Sequence, residues 1–200
     1  MNETDTSRPL TILSLLLGLL LTACTPAAEE APPLQGAEIG GSFTLIGEDG
    51  RSISDRDFAG QYRLVYFGFT YCPDVCPIDL QLIGQALRQL EASDPEIAAK
   101  VQPLFISVDP VRDTPAVLRE FTDAFHPRLI GLTGTPAQIE AVAKSHGVYF
   151  AKQEGGDAQN YLVDHNRTIL LFGPQGEPIA IVPHERGADA IAAELKRWVK

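Results

Sequence analysis

Leu64-Val65-Tyr66-Phe67-Gly68-Phe69-Thr70-Tyr71-Cys72-Pro73-Asp74-Val75-Cys76-Pro77-Ile78-Asp79-Leu80 is the stretch from which the rest of this 200-residue chain is read. Leu64 to Phe69 is an apolar, aromatic run of strand length, and two prolines then bracket a Cys-x-x-x-Cys ahead of a helical pattern. Proline has no N–H to donate but fits the first position of a helix. The helix is therefore expected to open at Pro77, with Cys76 at or beside its N-cap and Cys72 in the preceding turn. Free amides and the positive end of the helix dipole favour anions there, so both sulfurs are candidates for a thiol pKa below about 8.5. Four residues of roughly helical chain separate two Cα atoms by ~6 Å, inside disulfide range. The pair can hold a soft metal when reduced or close on itself when oxidised.

Outward from this turn, strand and helix patterns alternate. Phe43 to Ile46 and Arg51 to Ser54 flank a Gly47-Glu48-Asp49-Gly50 turn and read as an N-terminal hairpin. Leu80, Leu82, Ile83, Ala86, Leu87 and Leu90 have helical spacing, ending before Ser93-Asp94-Pro95. Val101 to Val108 reads as a strand, Thr114-Pro115 opens a helix to about Phe125, and Leu129 to Leu132 is a short strand. Thr135-Pro136 opens a helix ending at His146-Gly147, and Val148 to Lys152 reads as a strand. Arg167 to Phe172 and Ile179 to Val182 form a hairpin, and Ala188 to Val199 a last helix. This is the α/β order of a thioredoxin-like fold, a central mixed sheet flanked by helices, with the cysteine turn at the carboxyl end of a central strand where such sheets place their sites.

The chain carries a net charge of -10, and its 16 Lys and Arg are scattered, which argues against nucleic acid and against electrostatic binding to membranes. Its third cysteine lies apart. Leu10 to Leu21 is an apolar run too short to span a bilayer and of signal-peptide length, and Leu21-Thr22-Ala23-Cys24 resembles the lipobox of bacterial lipoproteins. Residues 1–23 are accordingly expected to be a lipoprotein signal peptide, Cys24 the lipidated residue, 24–38 a flexible Ala/Pro/Glu-rich tether and 39–200 the folded domain. The expected location is the outer side of the cytoplasmic membrane or the periplasm, with the domain held by its lipid. Only Arg8 is positive in the n-region, which leaves an uncleaved anchor as the alternative.

Two thiolates suit Cu(I), Zn(II) or iron–sulfur chemistry, and imidazole suits copper and zinc. Of the four histidines, His126 and His146 stand at helix ends and read as capping or surface residues, and His184 as a residue of a solvated turn. His165, in the loop Tyr161 to Asn166 before a strand, is a hydrogen-bonded loop residue by composition alone; in a thioredoxin-like fold that loop packs on the cysteines. Asp109, Arg112 and Asp113 form a polar knot that either fixes the following helix or supports the site.

Four blocks in order make a resemblance specific: Leu64 to Leu80, Phe105 to Pro115, Gly131 to Gly134 and Tyr161 to His165. The sequence resembles the Sco/SenC family of copper chaperones for cytochrome c oxidase assembly. That resemblance implies copper, as Cu(I) or Cu(II), held by Cys72, Cys76 and His165, and delivery to the binuclear copper centre of an oxidase subunit. Asp164 would tune the ligand or stabilise its turn. Ile78 and Asn166 depart from the family pattern, which often has a polar residue and a serine there. Other copper chaperones or thiol reductants are further partners, and a monomer is the expectation. The competing function is a thiol-disulfide oxidoreductase acting on exported proteins, disfavoured by three rather than two intervening residues. A peroxiredoxin lacks support because Phe69 and Pro73 stand where threonine would precede each cysteine. Structural zinc would want a fourth ligand.

Overall fold

A computed structural model describes residues 30–155, 157 and 160–200. The expected signal segment and Cys24 lie outside these. The packed chain begins earlier than Ile39: Leu34 donates its N–H to the Ile179 carbonyl at 2.9 Å and packs against the core.

Among the described residues the main sheet has seven strands, in the order β2-β1-β5-β4-β3-β8-β9. The hairpin β1 (Thr44–Gly47) and β2 (Ser52–Ser54) forms one edge, with β1 antiparallel to β5 (Ile130–Thr133). The centre is β3 (Tyr62–Gly68), buried at every position between parallel β4 (Val101–Ser107) and antiparallel β8 (Ile169–Phe172). Burial on both faces is why its sequence is continuously apolar instead of alternating. β9 (Pro178–Ile181) closes the other edge.

The helix after the cysteine turn, α1 (Val75–Ser93), begins two residues before Pro77 with Asp74 as its N-cap, so Cys76 lies within the first turn. Cys76, Leu80, Ile83, Leu87 and Leu90 form its buried stripe. A short helix α2 (Pro95–Lys100) follows, which the Ser93-Asp94-Pro95 break had concealed. Helix α3 (Pro115–Asp123) is capped by Thr114, whose hydroxyl accepts from Val117 N. Helix α4 (Pro136–Ser145) has a capping box of Thr135 and Gln138, and α5 (Ala188–Trp198) packs against α1.

The segment expected to be a loop at Tyr161 to Asn166 contains a strand. β6 (Phe150–Lys152) and β7 (Val163–His165) form a separate antiparallel ribbon in which Phe150 pairs with His165. Three histidines also differ from expectation: His126, His146 and His184 are all buried. His146 still caps its helix, its Nδ1 bonding the Val142 carbonyl at 2.8 Å, while its ring stands against Phe67 and Phe172.

Gly84 sets how closely α1 approaches its neighbour. A Cβ there would lie 2.6 Å from the Phe125 carbonyl oxygen, which Arg88 also holds at 2.7 Å. Helix propensity alone favours alanine by about 1 kcal/mol, but displacing backbone in a packed interface costs ~1–3 kcal/mol. Gly84→Ala is therefore expected to lower the urea midpoint; a higher midpoint would mean the helix shifts without strain.

Candidate metal centre

Cys72 and Cys76 reach one point because a strand, a turn and a helix start follow without a break. The Cys72 N–H donates to the Phe69 carbonyl at 3.3 Å, folding the chain back, and Cys76 N–H donates to Cys72 Sγ at 3.5 Å. Both thiols are free, Cys72 half-buried and Cys76 without exposed surface. Room for the Cys76 sulfur exists because Gly68 has no side chain: a Cβ there would stand 2.9 Å from Cys76 Sγ and 2.9 Å from the Phe105 ring. The turn itself is held from below. Asp113, fully buried, accepts from Thr70 N at 3.1 Å and Thr70 Oγ1 at 2.6 Å, and also from Ser107 Oγ.

His165 arrives on β7, and its Nε2 lies 3.3 Å from Cys76 Sγ. Its Nδ1 stands 3.2 Å from the Asn166 carbonyl. A carbonyl only accepts, so this contact places the proton on Nδ1 and leaves the Nε2 lone pair for the sulfur side. The rings of Tyr66 and Phe69 meet the imidazole edge-on, with centroids at 6.3 and 6.0 Å. One ligand atom from each of Cys72, Cys76 and His165 lies within 4.8 Å of the others. Among the described residues this is the one such group of histidine, cysteine and carboxylate atoms.

The two thiols are electrostatically unequal. The Cys76 thiol beside it, with the Cys76 and Asp74 backbone N–H groups, lowers Cys72 to about 3 against the burial that opposes it. Cys76 is pushed up, first by its hydrogen bond to Cys72 and then by burial. The two directions order the pair: Cys72 gives up its proton before Cys76 does.

Around the ligands the structure sorts the other expected residues. Asp164 is exposed and accepts from Gln153 Nε2 at 2.6 Å; the atom bonded to the His165 ring is the Asn166 carbonyl. The Asn166 side chain accepts from Tyr149 N at 2.7 Å and so pins the ribbon. In the polar knot, Asp109 pairs with Arg112 and accepts from the Tyr161 hydroxyl at 2.6 Å, while the Arg112 guanidinium lies over the Tyr161 and Tyr71 rings at 3.6 and 4.8 Å. The knot thus joins the loops on either side of the thiols.

Sequence reasoning missed Asp79, Arg167 and Tyr66. Asp79 is wholly buried in α1, bound by Arg167 Nη2 at 2.6 Å and Nε at 3.0 Å and by the Tyr66 hydroxyl at 2.8 Å. The available signal was a carboxylate interrupting an apolar helical stripe three residues after Cys76.

The fold and this site define a thioredoxin-like domain whose paired thiols face a histidine. Over residues 31–200 the sequence matches the SCO1/SenC family, and the chain belongs to it. Protein SenC of Rhodobacter capsulatus is 49% identical over 139 residues, 70% of this chain and 61% of that protein. The mitochondrial SCO2 homolog of Bos taurus is 44% identical over 165 residues, 82% of this chain and 61% of that protein, so the chain spans part of the length of these curated relatives. Among solved structures it is similar to Arabidopsis thaliana ScoI with copper bound, at a TM-score of 0.73 and 38% identity over 80% of this chain and 97% of that one. It is also similar to BsSco, a member of the Sco family of cytochrome c oxidase assembly proteins in which a disulfide switch was identified, at a TM-score of 0.63 and 25% identity over 84% and 95% of the chains. The thioredoxin domain of a Bacteroides vulgatus thiol-disulfide oxidoreductase shares the fold, at a TM-score of 0.55 and 18% identity over 83% and 98%.

The unequal thiols lead to a prediction. A depressed pKa keeps Cys72 ionised at every pH above about 3, whereas an ordinary cysteine, with a value of 9.0, gains thiolate only as pH rises toward it. Iodoacetamide should modify Cys72 before Cys76 in the reduced native chain, at a rate nearly flat between about pH 5 and 8. A rate rising roughly tenfold per pH unit across that window would show that Cys72 is not ionised.

Proposed function

We propose that this chain is a copper metallochaperone, tethered to a membrane, that delivers copper to the binuclear copper centre of cytochrome c oxidase. The observation that carries the reading is the convergence of Cys72, Cys76 and His165 within 4.8 Å. Two soft thiolates and one imidazole suit Cu(I) with three ligands, and one further oxygen ligand would suit Cu(II). A fourth protein ligand, which structural zinc favours, is missing from the described group. The likeness to ScoI with copper bound and to a member of a family of oxidase assembly proteins supports both the cargo and its destination.

In this reading Cys72 offers a thiolate at the half-exposed rim, where incoming copper would meet it. Cys76 loses its proton as it takes its place, and His165 presents Nε2 because the Asn166 carbonyl holds Nδ1–H. Anchoring falls to lipid on Cys24, in the segment outside the described residues; among the described residues no helix is long and apolar enough to cross a membrane.

A second reading, reduction of the cysteines of the oxidase subunit or of other exported proteins, has an observation of its own. A half-exposed thiolate beside a buried thiol is the arrangement of an attacking and a resolving cysteine.

A Cu(I) competition titration of the reduced full chain in detergent separates the readings. Wild type is expected to bind one Cu(I). Cys72→Ser and Cys76→Ser should each abolish tight binding, and His165→Ala should weaken it by more than the ~10–100-fold that loss of an outer partner costs. Stoichiometric binding by the double cysteine variant would sink the copper assignment. No binding by wild type, with a disulfide that still forms and reduces readily, would favour the oxidoreductase.

A further inference from the structure

Two links, side by side, join the helix that carries Cys76 to the chain that carries His165. The first is the contact of Cys76 Sγ with His165 Nε2 at 3.3 Å. The second is made by Asp79, wholly buried, whose two oxygens accept from Arg167 Nη2 at 2.6 Å and Nε at 3.0 Å. Cys76 and Asp79 are three apart on α1 and so share a face. His165 and Arg167, two apart, both turn toward that face. Arg167 reaches in from the surface, its side chain 40% exposed, and stands at the joint between β7, which ends at His165, and β8, which begins at Ile169. The Tyr66 hydroxyl donates to Asp79 at 2.8 Å, so the carboxylate is held to the central strand as well as to its own helix.

The ribbon needs such a tie. β6 and β7 form a separate two-stranded sheet, and two short strands alone are marginal in water. The bonds already described leave α1 out: the Asn166 side chain accepts from Tyr149 N inside the ribbon, and Tyr161 donates to Asp109 after β4. For stability alone the pair has no advantage, since replacing a buried ion pair by apolar groups of similar volume is often neutral or stabilising. What an apolar contact does not supply is a fixed distance and angle, which a two-pronged arginine–carboxylate pair does.

We propose that Asp79 and Arg167 are positioning residues for His165: the pair clamps the joint between β7 and β8 onto α1 and so sets the distance of the imidazole from Cys76. The inference rests on His165 being a copper ligand, but the geometry it invokes is present before any metal arrives. Arg167→Met alone strands a buried carboxylate and endangers the fold. The test therefore uses Asp79→Asn with Arg167→Met, which removes both charges and keeps an acceptor for the Tyr66 hydroxyl. Beside it stands Arg167→Lys, which keeps the charge and loses the fork.

Two measurements are made on the reduced full chain in detergent. Without metal, nuclear Overhauser contacts from the His165 ring protons to the rings of Tyr66 and Phe69, whose centroids lie 6.3 and 6.0 Å away, report where the imidazole stands. Cu(I) competition, in the wild-type and His165→Ala backgrounds, reports what that placement contributes. In the double variant and in Arg167→Lys the ring contacts are expected to weaken and Cu(I) binding to fall about 10–100-fold, the range for an outer partner of a metal ligand. In the His165→Ala background the same changes should cost nothing further, because a residue that acts only through another has no effect once that other is gone.

Full rescue by Arg167→Lys would reduce the pair to charge neutralisation, and equal loss in both backgrounds would make it a support of the core; either overturns the clamp. Unaltered ring contacts or unaltered binding in the double variant overturns it as well. If wild type takes up no Cu(I), the copper reading itself fails and the ring contacts alone decide: their loss in the double variant upholds the clamp, and their retention overturns it.

Discussion

The buried carboxylate of Asp113 ties the backbone of Thr70 to the end of the neighbouring strand, and the position of both cysteines follows from that bond. β3 and β4 run in parallel register to Gly68 and Ser107, and Val108 N–H still donates to the Gly68 carbonyl at 2.8 Å. Asp113 takes over, accepting the N–H and hydroxyl of Thr70 in the turn after β3 and the hydroxyl of Ser107 at the end of β4. Burial pushes its carboxyl above the usual range, and these bonds oppose that push. The result is a turn whose first residue is fixed before the cysteines begin, which a site assembled from three separate elements requires.

The thiols are then made unequal by where the fold leaves them. Cys72 stays in the turn, partly open, with backbone N–H groups around its sulfur; Cys76 is carried one helical turn inward, against Gly68 and the Tyr66 ring. One sulfur is thereby able to meet an incoming partner and the other is shielded from it. The same inequality serves ligand exchange and thiol exchange, so geometry at the two sulfurs alone does not separate the two chemistries. His165 adds a third ligand atom beside them, which closing a disulfide does not itself require.

Around this centre the chain spends much of its polarity on joining loops. The Arg112 guanidinium lies between aromatic faces while pairing with Asp109, which in turn holds the Tyr161 hydroxyl, so the segment after β4 and the segment before β7 are linked. The ribbon of β6 and β7 has few ladder bonds of its own, and Asn166 and Tyr161 supply ties that keep His165 at its distance.

The α/β order, the central strand, the capped helices and the Cys-x-x-x-Cys turn were legible in the sequence because each rests on local signals: continuous apolar runs, proline at helix starts, threonine caps. The chemistry of the residues left copper, zinc and iron–sulfur open and the thioredoxin-like order singled out His165; the resemblance to a known family narrowed these to copper held by Cys72, Cys76 and His165. Pro77 misled by two residues, since proline is tolerated throughout a helix's first turn and does not mark its first residue uniquely. The strand at His165 escaped because three residues paired to another three carry no periodicity. What only the tertiary structure decided is which polar groups meet. Asp79 finds Arg167 across 88 positions, Thr70 finds Asp113 across 43, and the Cys76 sulfur finds His165 across 89. Bonds of that span depend on how strands and helices stack, and a linear pattern records only that a charge lies in an apolar stripe, not which partner makes its burial tolerable.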